Sequence, residues 1–196
     1  GCHRSWEGPV SHDTEFLSYC ANSDLSLAAI TPAAYLTEAE PVVSSARERK
    51  PIDFERIADA YNEICEHSDI VIVEGIGGVR VPLTTEFDLL DLAVEFGLPV
   101  VIVARARAGM INHTLMTTDC VRAAKLKIAG VVINGFNATE STMVDETAEE
   151  VISHCGGVDI LSVVPFDETV DIQEPSLGEF IIPTLAECGW AKLARI

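Results

Sequence analysis

Two kinds of apolar pattern alternate along the chain. Short apolar runs rich in β-branched residues recur at 70–73 (IVIV), 99–103 (PVVIV) and 128–133 (IAGVVI), and a fourth, interrupted by Ser162, follows at 159–164 (DILSVV). Runs of this length without polar alternation predict strands covered on both faces. Between them the apolar period lengthens to that of a helix. Asp53 is placed to cap a helix whose inner face holds Phe54, Ile57, Ala58, Tyr61, Ile64 and Cys65. Thr85 and Asp88 form a capping pair for a helix through Phe96, closed by Gly97. A further helix is expected over about 112–125. Another is expected over about 141–155, with Val144, Ala148, Val151, Ile152 and Cys155 inward and Gly156 after it.

Strand–helix alternation of this kind predicts an α/β fold, a parallel sheet with helices on both faces. The earlier part of the chain is less patterned. Residues 1–26 are polar, with a short helix possible over 14–21. Residues 27–30 are weakly apolar and run into Thr31-Pro32, and 41–50 suit a short helix or a loop. No internal repeat or linker stands out, so residues 1–196 are taken as one domain. Ligands of open parallel sheets bind outside the carboxyl ends of the strands. The residues that follow each run are therefore the ones to search for chemistry.

Composition narrows the classes. The chain has 196 residues, 48% of them hydrophobic, which is enough for a packed core and too apolar for disorder. Its formal net charge of −18 argues against nucleic acid and anionic membranes as partners, since both need clustered Lys and Arg. The plain consequence of the acidity is solubility. Six cysteines are present, none in a C-x-x-C pair, which predicts free and mostly buried thiols in a reducing compartment. No run approaches the roughly 20 apolar residues of a membrane span, and no signal peptide is apparent, so the cytoplasm is the expected location.

The first run ends in Glu74-Gly75-Ile76-Gly77-Gly78. A carboxylate at a strand rim suits magnesium, which takes few protein oxygens alongside waters and phosphate. Glycines there allow a ligand or another backbone to come close. A tight turn with a solvated Glu is the alternative. A dinucleotide fingerprint is excluded, because the third glycine is absent and Pro82 interrupts the helix it requires. After the second run, Gly109 and Asn112 fit a loop feeding a helix start, where exposed amides favour an anion; Arg105 and Arg107 lie beside it. Asn134-Gly135 follows the third run. The Asn amide can donate and accept to a purine edge, or the pair can be an ordinary turn. Pro165-Phe166-Asp167 after the fourth run reads as a turn.

Taken together, these segments resemble the dethiobiotin synthetase family. The run Val71-Ile72-Val73-Glu74-Gly75-Ile76-Gly77-Gly78-Val79-Arg80-Val81-Pro82-Leu83 is similar to that family's "VEGAGG" to "PL" segment. Gly109-Met110-Ile111-Asn112-His113-Thr114-Leu115 is similar to its "G-x-I-N-H-(T/A)-L" helix start. The runs beginning at Leu98 and Ile128 resemble its neighbouring strands in order and spacing. Gly1-Cys2 with Ser11-His12-Asp13 resembles the segment after its "KPVxTG" motif. The resemblance implies a P-loop NTPase-like fold that works as a homodimer. It also implies an ATP-dependent carbon–nitrogen cyclo-ligase, with ATP as co-substrate and Mg2+ as cofactor. The implied reaction closes a ureido ring on 7,8-diaminopelargonic acid with CO2. By the same resemblance, Asp13 and Glu74 surround magnesium and the phosphates, and Gly75, Gly77 and Gly78 border the nucleotide. Met110, Ile111 and Asn112 hold the substrate carboxylate at or near the dimer interface. Asn134 reads adenine, and Pro165 lies beside the base.

The phosphate-binding pattern G-x-x-x-x-G-K-[ST] does not occur in these residues. Lys50, Lys125, Lys127 and Lys192 are the only lysines, and none follows a glycine. The expectation is therefore a P-loop fold without its first strand, loop and helix, inactive alone and with no catalytic residue identified. An opened sheet of this kind should expose apolar surface. A fragment, one half of a split enzyme, and a non-catalytic relative all fit this pattern, as does another amide-forming P-loop ligase. Gly135 departs from the acidic residue often found there in the family, and the tail after Pro165 has no clear counterpart.

Overall fold

The computed structural model describes residues 2–5, 8–173, 175–188 and 193. They form two compact units, 1–89 with 171–175, and 90–170 with 176–196.

The first unit opens with an antiparallel hairpin of β1 (Cys2–Ser5) and β2 (Gly8–Ser11) that polarity alone did not reveal. Ser11 then caps α1 (His12–Ala21), its hydroxyl accepting the Thr14 N–H at 3.0 Å. Thr14 is buried, and its own hydroxyl is satisfied by those of Ser11 and Thr31, each at 2.7 Å. Ser26 caps the single turn α2 (Leu27–Ile30), and Pro41 opens α3 (Pro41–Glu48). The helix expected after Asp53 is α4 (Phe54–His67), with the Asp53 carboxylate accepting the Arg56 N–H at 2.9 Å. Its inner stripe is narrower than expected. Ala60 is buried and Phe54, Ile57, Tyr61 and Ile64 are half-buried, whereas Ala58 and Cys65 face solvent. One residue of offset turns a side chain about 100° around a helix, enough to leave a narrow seam.

Residues 70–73 are not a strand. The segment joins no ladder, and Ile72 is 89% exposed. Its β-branched residues favour extended backbone, but a strand also needs a hydrogen-bonded neighbour, and none of the described residues supplies one.

Helix α5 (Leu89–Phe96) leads to Gly97 and the second unit. Here β3 (Val100–Arg105), β4 (Ile128–Phe136) and β5 (Ile160–Pro165) form a parallel sheet in that order. α6 (Met110–Ala123) and α7 (Met143–Gly156) are the crossovers. One face of the sheet, with Ile102, Ala104, Val131 and Ile133, packs on Met110, Ala148, Ile152 and Val158. On the other face α8 (Ile181–Ala186) packs against β5, while Val101 and Val103 on the edge strand β3 stay exposed. Helices thus lie on both faces, but only β4 is covered on both sides near its middle. The side chain of Val144 lies outside the described residues. Cys155, expected inward, faces solvent, because Ala148 and Ile152 already define the buried seam of α7. All six cysteines are free and none is buried, contrary to the expectation of buried thiols.

Candidate functional site

The site candidates fall into two groups, one in each unit. In the first unit Asp13 is the second residue of α1, on its exposed side. Glu74 lies in the irregular segment after residue 73 and is also exposed. Because no buried strand precedes it, poor solvation gives Glu74 no need of a cation, and its reading as a magnesium ligand rests on the resemblance. No group of three or more His, Cys, Asp or Glu side chains among the described residues is disposed to hold a metal. Magnesium still fits the donor type, since exposed carboxylates can enter its shell while waters and phosphate oxygens fill the rest.

The glycines after Glu74 have distinct reasons to be there. A Cβ on Gly75 would lie 2.4 Å from the Leu89 Cδ2, so the backbone passes where no side chain fits. Gly77 has φ +68, whereas space beside Gly78 is open. The loop that follows is well built. Val81 N–H bonds Gly78 O at 3.0 Å, Leu89 N–H bonds Val81 O at 3.0 Å, and Arg80 Nε pairs with Asp88 Oδ2 at 2.9 Å. Phe87 packs edge-on to Phe54 of α4, ring centres 5.0 Å apart.

In the second unit the carboxyl ends of β3, β4 and β5 come side by side. Arg105 is the register partner of Asn134, which in turn pairs with Val164; Phe136 pairs with Pro165. Sequence reasoning put Arg105 and Asn134 in loops after their strands, and the structure puts both on the strands. The parallel ladder extends that far because Ala106 N–H still reaches Asn134 O at 2.9 Å and Phe166 N–H reaches Phe136 O at 2.9 Å. Asn134 is exposed at this rim and Pro165 is half-buried.

The helix start after β3 lies two residues earlier than expected, at Met110 instead of Asn112. Gly109 precedes it with φ +89, and a Cβ there would meet the His113 ring at 3.2 Å. The spacing Gly109-x-x-x-His113 thus has a local cause. No side chain caps this helix, unlike α1 and α4. Met110 is 5% exposed, and its side chain lies in the core. Its N–H is bonded to Arg107 O at 3.0 Å. Ile111 is half-buried and Asn112 exposed, with Asn112 Nδ2 donating to the Met116 sulfur at 3.5 Å. A hollow lined by Arg122, Ile128, Gly157 and Asp159 lies at the opposite, amino end of β4 and β5, away from these residues.

One residue at this rim did not stand out in the sequence. Asp167 is 9% exposed, and the Thr169 hydroxyl and the Phe180 and Thr169 amides hold its carboxyl below the usual carboxylate range. The only sequence signal was Asp-x-Thr after a strand, which is common to many turns.

A three-stranded parallel sheet with Arg105, Asn134 and Pro165 at its carboxyl ends and helices packed around it makes this an α/β fold, consistent with the P-loop NTPase-like class. A family model described as "AAA domain" matches residues 7–174. The chain is 30% identical over 177 residues to the ATP-dependent dethiobiotin synthetase BioD of Thermodesulfovibrio yellowstonii, covering 87% of this chain and 73% of that protein. It is 37% identical over 154 residues to the ATP-dependent dethiobiotin synthetase BioD of Bacillus subtilis, covering 78% of this chain and 66% of that protein. The chain belongs to the ATP-dependent dethiobiotin synthetase family.

Proposed function

We propose that the chain carries nucleotide- and substrate-binding residues of an ATP- and magnesium-dependent ligase, which closes a ureido ring on 7,8-diaminopelargonic acid with CO2. The observation that carries this reading is the helix start Gly109–Asn112, in a chain of this family. No side chain caps α6, which leaves the positive end of the helix dipole for a substrate carboxylate held at the helix start by Met110, Ile111 and Asn112.

In this reading Asn134 presents its amide to the adenine edge and Pro165 lies beside the base. Gly75, Gly77 and Gly78 border the phosphates, and Asp13 and Glu74 hold the magnesium ion. The ion supplies charge neutralisation for phosphoryl transfer. The chemistry needs little covalent help. One substrate amine takes up CO2 as a carbamate, and ATP phosphorylates the carbamate. The second amine then attacks the carbonyl carbon, and phosphate leaves as the ring closes. The chain's own task is to hold the diamine tail and the base so that these groups meet. A homodimer formed near α6, in the cytoplasm, completes the reading. All six cysteines are free, and no helix among the described residues is long and apolar enough to cross a membrane.

The test is an assay of the gene-encoded protein with the diamine, bicarbonate and MgATP. Phosphate release that depends on the diamine is expected, and its absence sinks the ligase reading. A non-catalytic relative is the second reading, favoured by the lack of any Gly-Lys pair in these residues. It predicts diamine binding without turnover in the same assay.

A further inference from the structure

The segment leaving β5 is held by one carboxylate. Asp167 Oδ1 accepts the Thr169 N–H at 2.9 Å and the Thr169 hydroxyl at 2.6 Å. Its Oδ2 accepts the Phe180 N–H at 2.9 Å, from a residue thirteen positions on. The Thr169 hydroxyl in turn accepts the Glu179 N–H at 3.2 Å. Two side chains thus take three backbone amides and join the start of the segment to its return. Gly178 sits against this join, since a Cβ there would come 2.4 Å from Asp167 Oδ2. Phe180 then opens α8, which packs on β5.

The other side of the join is the base end of the proposed nucleotide site. Asp167 is two residues past Pro165, whose register partner Phe136 is two residues past Asn134. Phe166 N–H is tied to Phe136 O, and its ring is exposed. A nearly buried carboxylate needs donors to offset its lost hydration, and here backbone amides and a hydroxyl supply them. Placing such a group there fixes where the chain goes after Pro165.

Resting on the nucleotide reading above, we propose that Asp167 is a positioning residue for base recognition. Its carboxylate clasps the segment after β5 and so holds Pro165 and Phe166 in place against the end of β4 that carries Asn134. Asp167 touches no substrate and acts through that backbone.

The test titrates adenosine, and separately 7,8-diaminopelargonic acid, into the folded protein and its variants Asp167→Ala, Asp167→Asn and Gly178→Ala. Asp167→Ala and Gly178→Ala should each weaken adenosine by about tenfold or more while leaving diamine affinity unchanged. Asp167→Asn should recover part of the loss, because the amide oxygen can still accept from Thr169. Hydrogen exchange at the Phe180 amide should quicken in step with the loss of affinity. If Asp167→Ala does not fold, Asp167→Asn carries the same comparison. Equal adenosine affinity in wild type and variants, with exchange at Phe180 quickened, overturns the positioning role and leaves a purely structural one. Wild-type protein that binds the diamine but no adenosine overturns instead the assignment of Asn134 and Pro165, and the proposal with it.

Discussion

Glu74 is exposed and has no hydrogen-bond or ion-pair partner among the described residues, so the fold gains little from its charge. Replacing it with Gln should shift stability by no more than about 0.5 kcal/mol, as for most surface changes. The same change should strip most of the magnesium-nucleotide turnover, as measured by phosphate release. Equal loss of stability and turnover would mark Glu74 as structural. Gly75 gives the opposite profile one residue later. A methyl group there must displace Leu89, so Gly75→Ala should cost about 1–3 kcal/mol in urea unfolding through overpacking alone. Two neighbours in one motif thus separate chemistry from packing. Their letters in the sequence could not separate them, because a glycine kept for a ligand and a glycine kept for a leucine are written alike.

At the scale of elements, the termini of the helices give the cleanest tests. Asp53→Ala removes the acceptor for Arg56 N–H and should destabilise by about 1 kcal/mol, read from the urea midpoint. In α7 the Asp145 carboxylate accepts the Thr142 hydroxyl at 2.7 Å and the Thr142 N–H at 2.9 Å, bonds that lower its pKa below the ordinary 3.8. A depressed carboxylate contributes stability that is present above its unfolded pKa and lost as pH falls through the folded one. The N-terminal turn of α7 should therefore loosen as pH drops below about 4. Asp145→Asn should flatten that part of the acid profile, measured by amide exchange at residues 142–146. These caps were legible beforehand for α4, where Asp53 directly precedes a clear helical period. The three parallel strands were legible too, from apolar runs that only Ser162 of β5 and Asn134 at the end of β4 interrupt before the strand ends. The hairpin of β1 and β2 was not, because eight polar and mixed residues show no alternation that separates an exposed strand from a loop. The Asp167 clasp was out of reach for another reason: its partner lies thirteen residues away, and no local pattern announces a contact of that range.

For the molecule as a whole, residues 70–73 show what an apolar run can and cannot specify. Sequence predicted a buried strand from composition, yet burial depends on what lies alongside. In the first unit Ile70, Ile72 and Val73 stay exposed, and in the second so do Val101 and Val103 on β3, an edge strand among the described residues. Unpaired edges with apolar side chains invite pairing with other chains. Against this stands the net charge of −18, which keeps copies apart as long as it is not screened. Screening length falls from about 30 Å at 0.01 M salt to about 8 Å at 0.15 M. The two effects together set the expected behaviour of these 196 residues in solution. They should remain dispersed at low salt, then bind hydrophobic dye more strongly and scatter more light as salt rises. Val103→Lys and Ile72→Lys each place a charge on an exposed apolar position without touching the core, and should suppress the rise while leaving the low-salt spectrum unchanged. A salt series that leaves scattering flat in the unmodified chain would mean that its exposed apolar residues are not adhesive. A rise that persists in both lysine variants would place the contact elsewhere.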